Sequence, residues 1–371
     1  MADIINVSAL RDYLSSQKIR INKTAFKNLS KQITSFSQTM VKKSNTPILR
    51  VKDLVKHFPL GGGFLRRQEG IVRAVDGVSF DLIRGETLGI VGESGCGKST
   101  VARTLLLLED ATGGTAEFDE QDLFTLSGQR LKEVRRRIQV VFQDPYASLN
   151  PRMTVNEILT EPFKIHSDIL PQTQWPNRIR ELLEQVGLRP EYAARYPHEF
   201  SGGQLQRIGI ARALALNPDV LILDEPVSAL DVSVQAQVVN LLEALQKRLG
   251  VAYIFIAHDL SVVRHISHRM AVMYLGKIME TGGTDDIYER PAHPYTLALL
   301  SAEPKITLDK SKKKRILLEG EVPSPLNPPS GCRFRNRCWK AQPRCKEVPP
   351  TTSPFNTEHT VSCHFPIAEG F

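Results

Sequence analysis

Apolar and polar positions first alternate clearly at "PILRVKDLVKHF" (47–58), which predicts a strand. The stretch before it, residues 1–46, is polar, with a few apolar residues at loose helical spacing. A tail or short helix is the expectation there. "GGGFLRRQEG" (61–70) has the glycines of a hairpin loop. "AVDGVSFDLIRGETLGIVGESGCGKSTVARTLL" then runs strand, turn, strand, glycine loop, helix. From about 128 to 215 the pattern is mostly helical: "RIRELLEQVGL" ends on a glycine stop, and "GQLQRIGIARALAL" reads as amphipathic. Continuous apolar runs return in "VLILDEP" and "VAYIFIAHD", separated by the helix "SVQAQVVNLLEALQKRLG". "MAVMYLGKIMETG" reads as a hairpin. Alternating buried strands and helices imply an α/β core with a largely parallel sheet. After about residue 304, "KSKKKR" and "EVPSPLNPPSGC" mark a linker into a small proline- and cysteine-rich tail domain.

"GESGCGKST", Gly92 to Thr100, fits G-x-x-x-x-G-K-[ST] between an apolar strand and a helix. Backbone N–H groups of Gly92, Glu93, Ser94, Gly95, Cys96, Gly97 and Thr100 can close around phosphates there, helped by the helix dipole. Lys98 would reach the β- and γ-phosphates, and Ser99 would place its hydroxyl on Mg²⁺. Cys96 is a small filler in this loop. "VLILDEP" puts Asp224 and Glu225 at a strand end, Asp224 to orient Mg²⁺ and Glu225 to polarise an attacking water.

A P-loop enzyme does not need the "FSGGQLQR" of residues 200–207. Together with the phosphate loop, it resembles the ATP-binding cassette (ABC) ATPases. That resemblance implies a RecA-like core with a mostly parallel sheet, an antiparallel β subdomain and a helical signature subdomain at about 140–215. It implies that Ser201, Gly202, Gly203 and Gln204 cap the γ-phosphate of ATP held by the opposite subunit of a dimer. Gln143, in "VVFQDP", matches the loop glutamine that contacts Mg²⁺ and the membrane subunit. "SALD", ending at Asp231, matches the dimer-facing segment, and His258 matches the switch histidine on the γ-phosphate. Phe58 matches the aromatic that stacks on adenine, with Phe64 as the alternative. Lys98, Gln143, Glu225 and His258 would be the catalytic set.

Four of the five cysteines lie near the C-terminus, Cys332, Cys338, Cys345 and Cys363, with five, six and seventeen residues between them. Those gaps are wider than the C-x₂-C knuckles typical of structural zinc. Four thiolates suit Zn²⁺ and iron–sulfur alike, so softness does not choose. A proline-rich tail with little apolar content favours some cross-link. "FQDPYASLNPRMTV" (142–155), "HPYTLALL" (293–300) and "EVPSPLNPPSGCRFRNRC" resemble the oligopeptide and dipeptide importer ATPases, over roughly residues 47–366. The resemblance is to the second ATPase of the pair that such importers use. It implies a [4Fe–4S] cluster on the four cysteines, with zinc or free thiols as alternatives. It also implies a related ABC ATPase as heterodimer partner, two membrane-spanning permease subunits and an extracytoplasmic binding protein. Residues 47–304 would be the nucleotide-binding domain and 305–371 the tail.

Charge is divided unevenly. The chain carries +8 overall, with nine Lys/Arg against two Asp/Glu in residues 1–50 and twelve against four in 305–347. The stretch between is mildly acidic, so the basic flanks read as solvated or lipid-facing tails, and no nucleic-acid partner is expected. No run of about 18 apolar residues occurs. "MADIINVSALRDYLSS" lacks a basic n-region followed by an apolar h-region, so no secretory leader is expected. A peripheral site on the cytoplasmic membrane face follows from the resemblance. The alternatives are an importer for another cargo, such as nickel or a sugar, and a soluble ABC ATPase acting on nucleic acid or ribosomes.

Overall fold

The computed structural model describes residues 46–60, 70–303 and 315–367. The expectations for residues 1–45, for Phe64 and for the tip of the 61–70 loop lie outside the described residues. In chain order the strands are β1 (Pro47–Leu60), β2 (Gly70–Ile83), β3 (Thr87–Val91), β4 (Gly113–Phe118), β5 (Gln121–Asp122), β6 (Ile138–Val141), β7 (Val220–Asp224), β8 (Ala252–Ala257), β9 (Arg269–Tyr274), β10 (Lys277–Gly283), β11 (Ser353–Pro354) and β12 (Thr360–Val361). The helices are α1 (Lys98–Leu105), α2 (Gly128–Arg137), α3 (Pro145–Ser148), α4 (Val155–Ile165), α5 (Trp175–Gln185), α6 (Gly202–Leu214), α7 (Val232–Leu249), α8 (Leu260–Ile266), α9 (Thr284–Glu289), α10 (Pro294–Ala302) and α11 (Pro343–Glu347).

Two sheets form. The first is antiparallel, in the order β2-β1-β4-β5, and its β1–β2 pairing runs from Pro47–Ile83 to Leu60–Gly70. The second has eight strands in the order β11-β12-β10-β9-β3-β8-β7-β6. Strands β9, β3, β8, β7 and β6 run parallel to one another, as the unbroken apolar runs require, and β10 adds antiparallel to β9. All residues of β3, β7 and β8 are buried. Each fully buried aliphatic side chain there stabilises the fold by roughly 1.5–3 kcal/mol.

Three local readings change. Residues 138–141 form β6, a four-residue strand inside the stretch read as mostly helical, paired in parallel with β7 from Ile138–Val220 to Val141–Leu223. Helix α6 is not amphipathic: Leu205, Gln206, Ile208, Ile210, Ala211 and Leu214 bury all its faces, because it packs on α3, α4, α5, α7 and β6 at once. The tail is not a separate small domain. β12 pairs with β10 (Glu280–Val361), so the C-terminal segment finishes the main sheet. Among the described residues no helix is long and apolar enough to cross a membrane.

Candidate functional site

The parallel order β3-β8-β7-β6 lines up four carboxyl ends in register, Val91 opposite Ala257, Asp224 opposite Ile256 and Val141 opposite Leu223. Ligands of open α/β sheets bind at such an edge. The phosphate loop leaves β3, His258 follows β8, Asp224 ends β7 with Glu225 next after it, and Gln143 follows β6. The sequence therefore reaches this site by strand order, not by proximity along the chain.

Two of the loop's glycines are steric necessities. A Cβ on Gly97, whose φ is 106°, would sit 2.1 Å from the Ala74 carbonyl oxygen, and one on Gly92 would sit 2.1 Å from that of Met273. Lys98 Nζ donates to the carbonyl oxygens of Gly92 (2.8 Å) and Glu93 (3.2 Å). Ser99 Oγ donates to Asp224 Oδ1 at 2.9 Å. This hydroxyl and carboxylate are the hard oxygen donors that Mg²⁺ takes, so the residues fit that ion. Burial pushes the Asp224 carboxyl up, and the Ser99 hydrogen bond only partly offsets it; a bound cation would favour the charged form. Burial likewise pushes up the Cys96 thiol, which is 4% exposed and packs in the core.

Glu225 collects the remaining groups. Gln143 Nε2 donates to its Oε2 at 3.0 Å, and His258 Nδ1 lies 3.3 Å from the same oxygen. Its backbone is left-handed, φ 48°, which is unfavourable for a non-glycine residue. Such strain is held by surrounding structure, here by its N–H donating to the Ile256 carbonyl at 3.0 Å. A carboxylate between an amide and an imidazole can orient a water and take its proton.

The signature stands apart from this group. Ser201 is the N-cap of α6, accepting from the Gln204 N–H (3.4 Å), while Gln204 Oε1 accepts from the Ser201 N–H (3.0 Å). Among the described residues none of these bonds reaches the phosphate loop. Gly203 lies against Val234 and Gly202 against Leu230, so Ser201–Gln204 and the segment ending at Asp231 form one surface. Phe58 lies on β1 with Lys56 Nζ 4.7 Å from its ring centre.

The cysteines meet only in part. Cys332, Cys338, Cys345 and Cys363 line one cavity with His293 and Phe334. Yet among the described residues no three His, Cys, Asp or Glu side chains converge as a shared metal ion requires. Burial pushes up the thiols of Cys332 and Cys338, and that of Cys363 to about 11; a bound metal would favour their deprotonated form. One feature of the cavity does suit a sulfur-bound group. His293 Nδ1 accepts from the Tyr295 N–H (3.0 Å), so the neutral ring carries its proton on Nε2, which is buried without a hydrogen-bond partner among the described residues. Burial holds this imidazole down at about 4.

Sequence reading missed Tyr295, Arg337 and Arg333. Tyr295 Oη accepts from the Glu93 N–H at 3.0 Å, and the Arg337 guanidinium grips the Glu93 carboxylate at 2.6 and 3.0 Å. "HPYTLALL" was the available signal: its histidine caps α10, its proline starts the helix, and its tyrosine bonds the phosphate loop.

Comparison with known proteins agrees with this geometry. Residues 75–228 match the ABC transporter family, and residues 279–345 match the oligopeptide/dipeptide transporter C-terminal region. The chain is 56% identical over 319 residues to the oligopeptide transport ATP-binding protein AppF of Bacillus subtilis, covering 85% of this chain and 97% of that one. It is 52% identical to OppF of Salmonella typhimurium, covering 85% and 95%. A dimeric ATP-binding cassette solved in a post-hydrolysis state with ADP and Pi superposes with a TM-score of 0.57 at 29% identity, over 64% of this chain and 98% of that one. With both family regions matched in one chain, and relatives more than half identical over 85% of it, the chain belongs to the ATP-binding proteins of the oligopeptide/dipeptide ABC transporter family.

Proposed function

We infer that this chain hydrolyses ATP to power the import of oligopeptides or dipeptides through a multi-subunit ABC transporter. The ATPase part rests on Lys98, Ser99, Gln143, Asp224, Glu225 and His258 lying at adjacent carboxyl ends of one parallel sheet. The peptide part rests on the C-terminal region, matched over 279–345, which bonds directly to the phosphate loop.

In this reading Lys98 and the amides of residues 92–100 fix the phosphates of ATP. Ser99, with Asp224 and Gln143 beside it, would hold Mg²⁺, which would supply charge neutralisation to the β- and γ-phosphates. Glu225 orients the attacking water and accepts its proton, and His258 holds the γ-phosphate. Phe58 stacks on the adenine. Ser201, Gly202, Gly203, Gln204 and Asp231 serve the nucleotide of the opposing subunit, a second and related ABC ATPase. That arrangement fits a signature capped within itself and presented on a surface away from its own phosphate loop. Residues 47–304 make the nucleotide-binding unit, with helices at about 140–215 carrying the signature, and 305–371 make the C-terminal region. The complex includes two permeases and works with an extracytoplasmic binding protein, which puts this chain at the cytoplasmic membrane face.

We also infer that Cys332, Cys338, Cys345 and Cys363 hold a [4Fe–4S] cluster. The four thiols and the unpartnered His293 Nε2–H lining one cavity support this reading. Anaerobic purification with iron, sulfide and zinc analysis tests it. About four irons and four sulfides per chain are expected; one zinc without iron, or no metal, overturns it.

Reconstitution with the permeases, the partner ATPase and the binding protein in liposomes tests the transport reading. The expected result is ATP-dependent uptake of labelled peptide that Glu225→Gln abolishes. ATP-driven uptake of a sugar or of nickel, with no peptide uptake, contradicts it.

A further inference from the structure

The segment around the first two C-terminal cysteines carries two arginines that reach into the nucleotide site. Arg337, just before Cys338, is nearly buried, with its side chain 8% exposed. Its two terminal nitrogens donate to both carboxylate oxygens of Glu93, at 2.6 and 3.0 Å. The guanidinium also lies 5.9 Å from the centre of the Tyr274 ring. A bidentate, desolvated arginine–carboxylate pair fixes both partners in orientation.

Glu93 is the second residue of the phosphate loop, and each of its polar groups is occupied. Its carbonyl oxygen accepts from Lys98 Nζ at 3.2 Å, its N–H donates to Tyr295 Oη at 3.0 Å, and its carboxylate is taken by Arg337. Tyr274, Tyr295 and Phe334 pack around this point with ring centres 4.7–5.4 Å apart. Two of the three groups holding the loop's first turn thus come from residues 295 and 337, far from the loop in sequence.

Arg333, just after Cys332, acts at the other end of the site. It is 6% exposed and pairs with Asp76 Oδ2, while His57 Nε2 lies 3.0 Å from Asp76 Oδ1. His57 precedes Phe58 on β1. Nearby, the Arg73 N–H donates to the Pro325 carbonyl at 3.1 Å, so the C-terminal segment lies along the β1–β2 hairpin as well.

We propose that Arg337 is a positioning residue for ATP: through Glu93 it holds the phosphate loop in the shape Lys98 needs, while Arg333, through Asp76, steadies the hairpin that bears Phe58. The C-terminal region is then part of the nucleotide site. This rests on the nucleotide-site reading given above. It assigns the segment to ATP affinity and not to the chemical step, because Glu225, Gln143 and His258 sit on other strand ends.

The test is ATP binding and steady-state hydrolysis by the full chain and its variants. Arg337→Ala is expected to raise the ATP Kd and KM about tenfold and to change kcat by less than about twofold. Arg337→Lys, which keeps the charge and loses the fork, should recover part of the affinity. Glu93→Ala should weaken ATP to a similar degree, and the double variant should be no worse than the weaker single one, as a coupled pair requires. Additive losses, an equal fall in kcat, or wild-type ATP affinity in Arg337→Ala would each overturn the proposal. Lys98→Ala separates the two claims. Loss of ATP binding in Lys98→Ala beside wild-type binding in Arg337→Ala removes only the positioning role. Retained binding in Lys98→Ala removes the nucleotide-site reading itself.

Discussion

The catalytic edge and the C-terminal segment both serve the phosphate loop, yet they are held in opposite ways. At the edge one partner stays accessible: the His258 side chain is 55% exposed, and Glu225, itself 15% exposed, is joined to it at 3.3 Å. In the C-terminal segment the joints are shut away. Glu280 and His359 pair at 2.6 Å with neither side chain exposed, and Glu280 also accepts from the N–H groups of Ala292 (2.6 Å) and His293 (2.9 Å). Groups that move protons and meet a second subunit must be reachable and adjustable. Groups that only set geometry gain from burial, because a desolvated hydrogen-bonded group has few alternative partners. Strain appears on the first side, at Glu225, and buried pairing on the second.

The largest break in this comparison is expected from Glu280→Ala. It strands His359 and two backbone N–H groups beside the β10–β12 pairing. Chemical denaturation should report a loss of about 3–5 kcal/mol, the range for opening a buried pair. A change near zero would mean that the C-terminal segment contributes nothing to the core.

Acid should act next, and through His293. Its imidazole, facing the Glu280 carboxylate, titrates at about 4 when folded and near 6.5 when unfolded. Between these values the unfolded chain binds the extra proton. Stability therefore falls as pH drops from about 6.5 to 4, by up to about 3 kcal/mol, and the contribution is fully present above 6.5. Denaturation across that window, in wild type and in His293→Gln, checks it: the glutamine variant should lose this part of the slope.

Ser201→Ala should have the smallest effect on stability, about 1 kcal/mol for one N-cap. Its effect on turnover in the assembled dimer should be far larger than on folding. Equal, small effects on both would reduce the signature to a helix cap.

The two regions also differ in how far the sequence revealed them. Each group proposed for catalysis follows a contiguous strand-plus-loop pattern, so Lys98, Asp224, Glu225 and His258 can be read locally. Arg337 and Glu93 are 244 residues apart, and Glu280 and His359 are 79 apart. No periodicity links them, and Arg337 looked like one more charge in a basic flank. β6 was hidden because four residues between helical runs are too few for a period-2 signal. α6 was misread because burial on every face comes from its neighbours, not from its own pattern. The positions of the four cysteines were plain, but how closely their sulfurs approach one another was not.

The central claim is that Glu225, oriented by Gln143 and His258, activates water at a site whose binding groups lie elsewhere. The most direct measurement is ATP binding and ATP hydrolysis by Glu225→Gln in the assembled ATPase pair. The account predicts ATP affinity within about twofold of wild type and hydrolysis slower by about 100-fold or more. Turnover near the wild-type rate would contradict it.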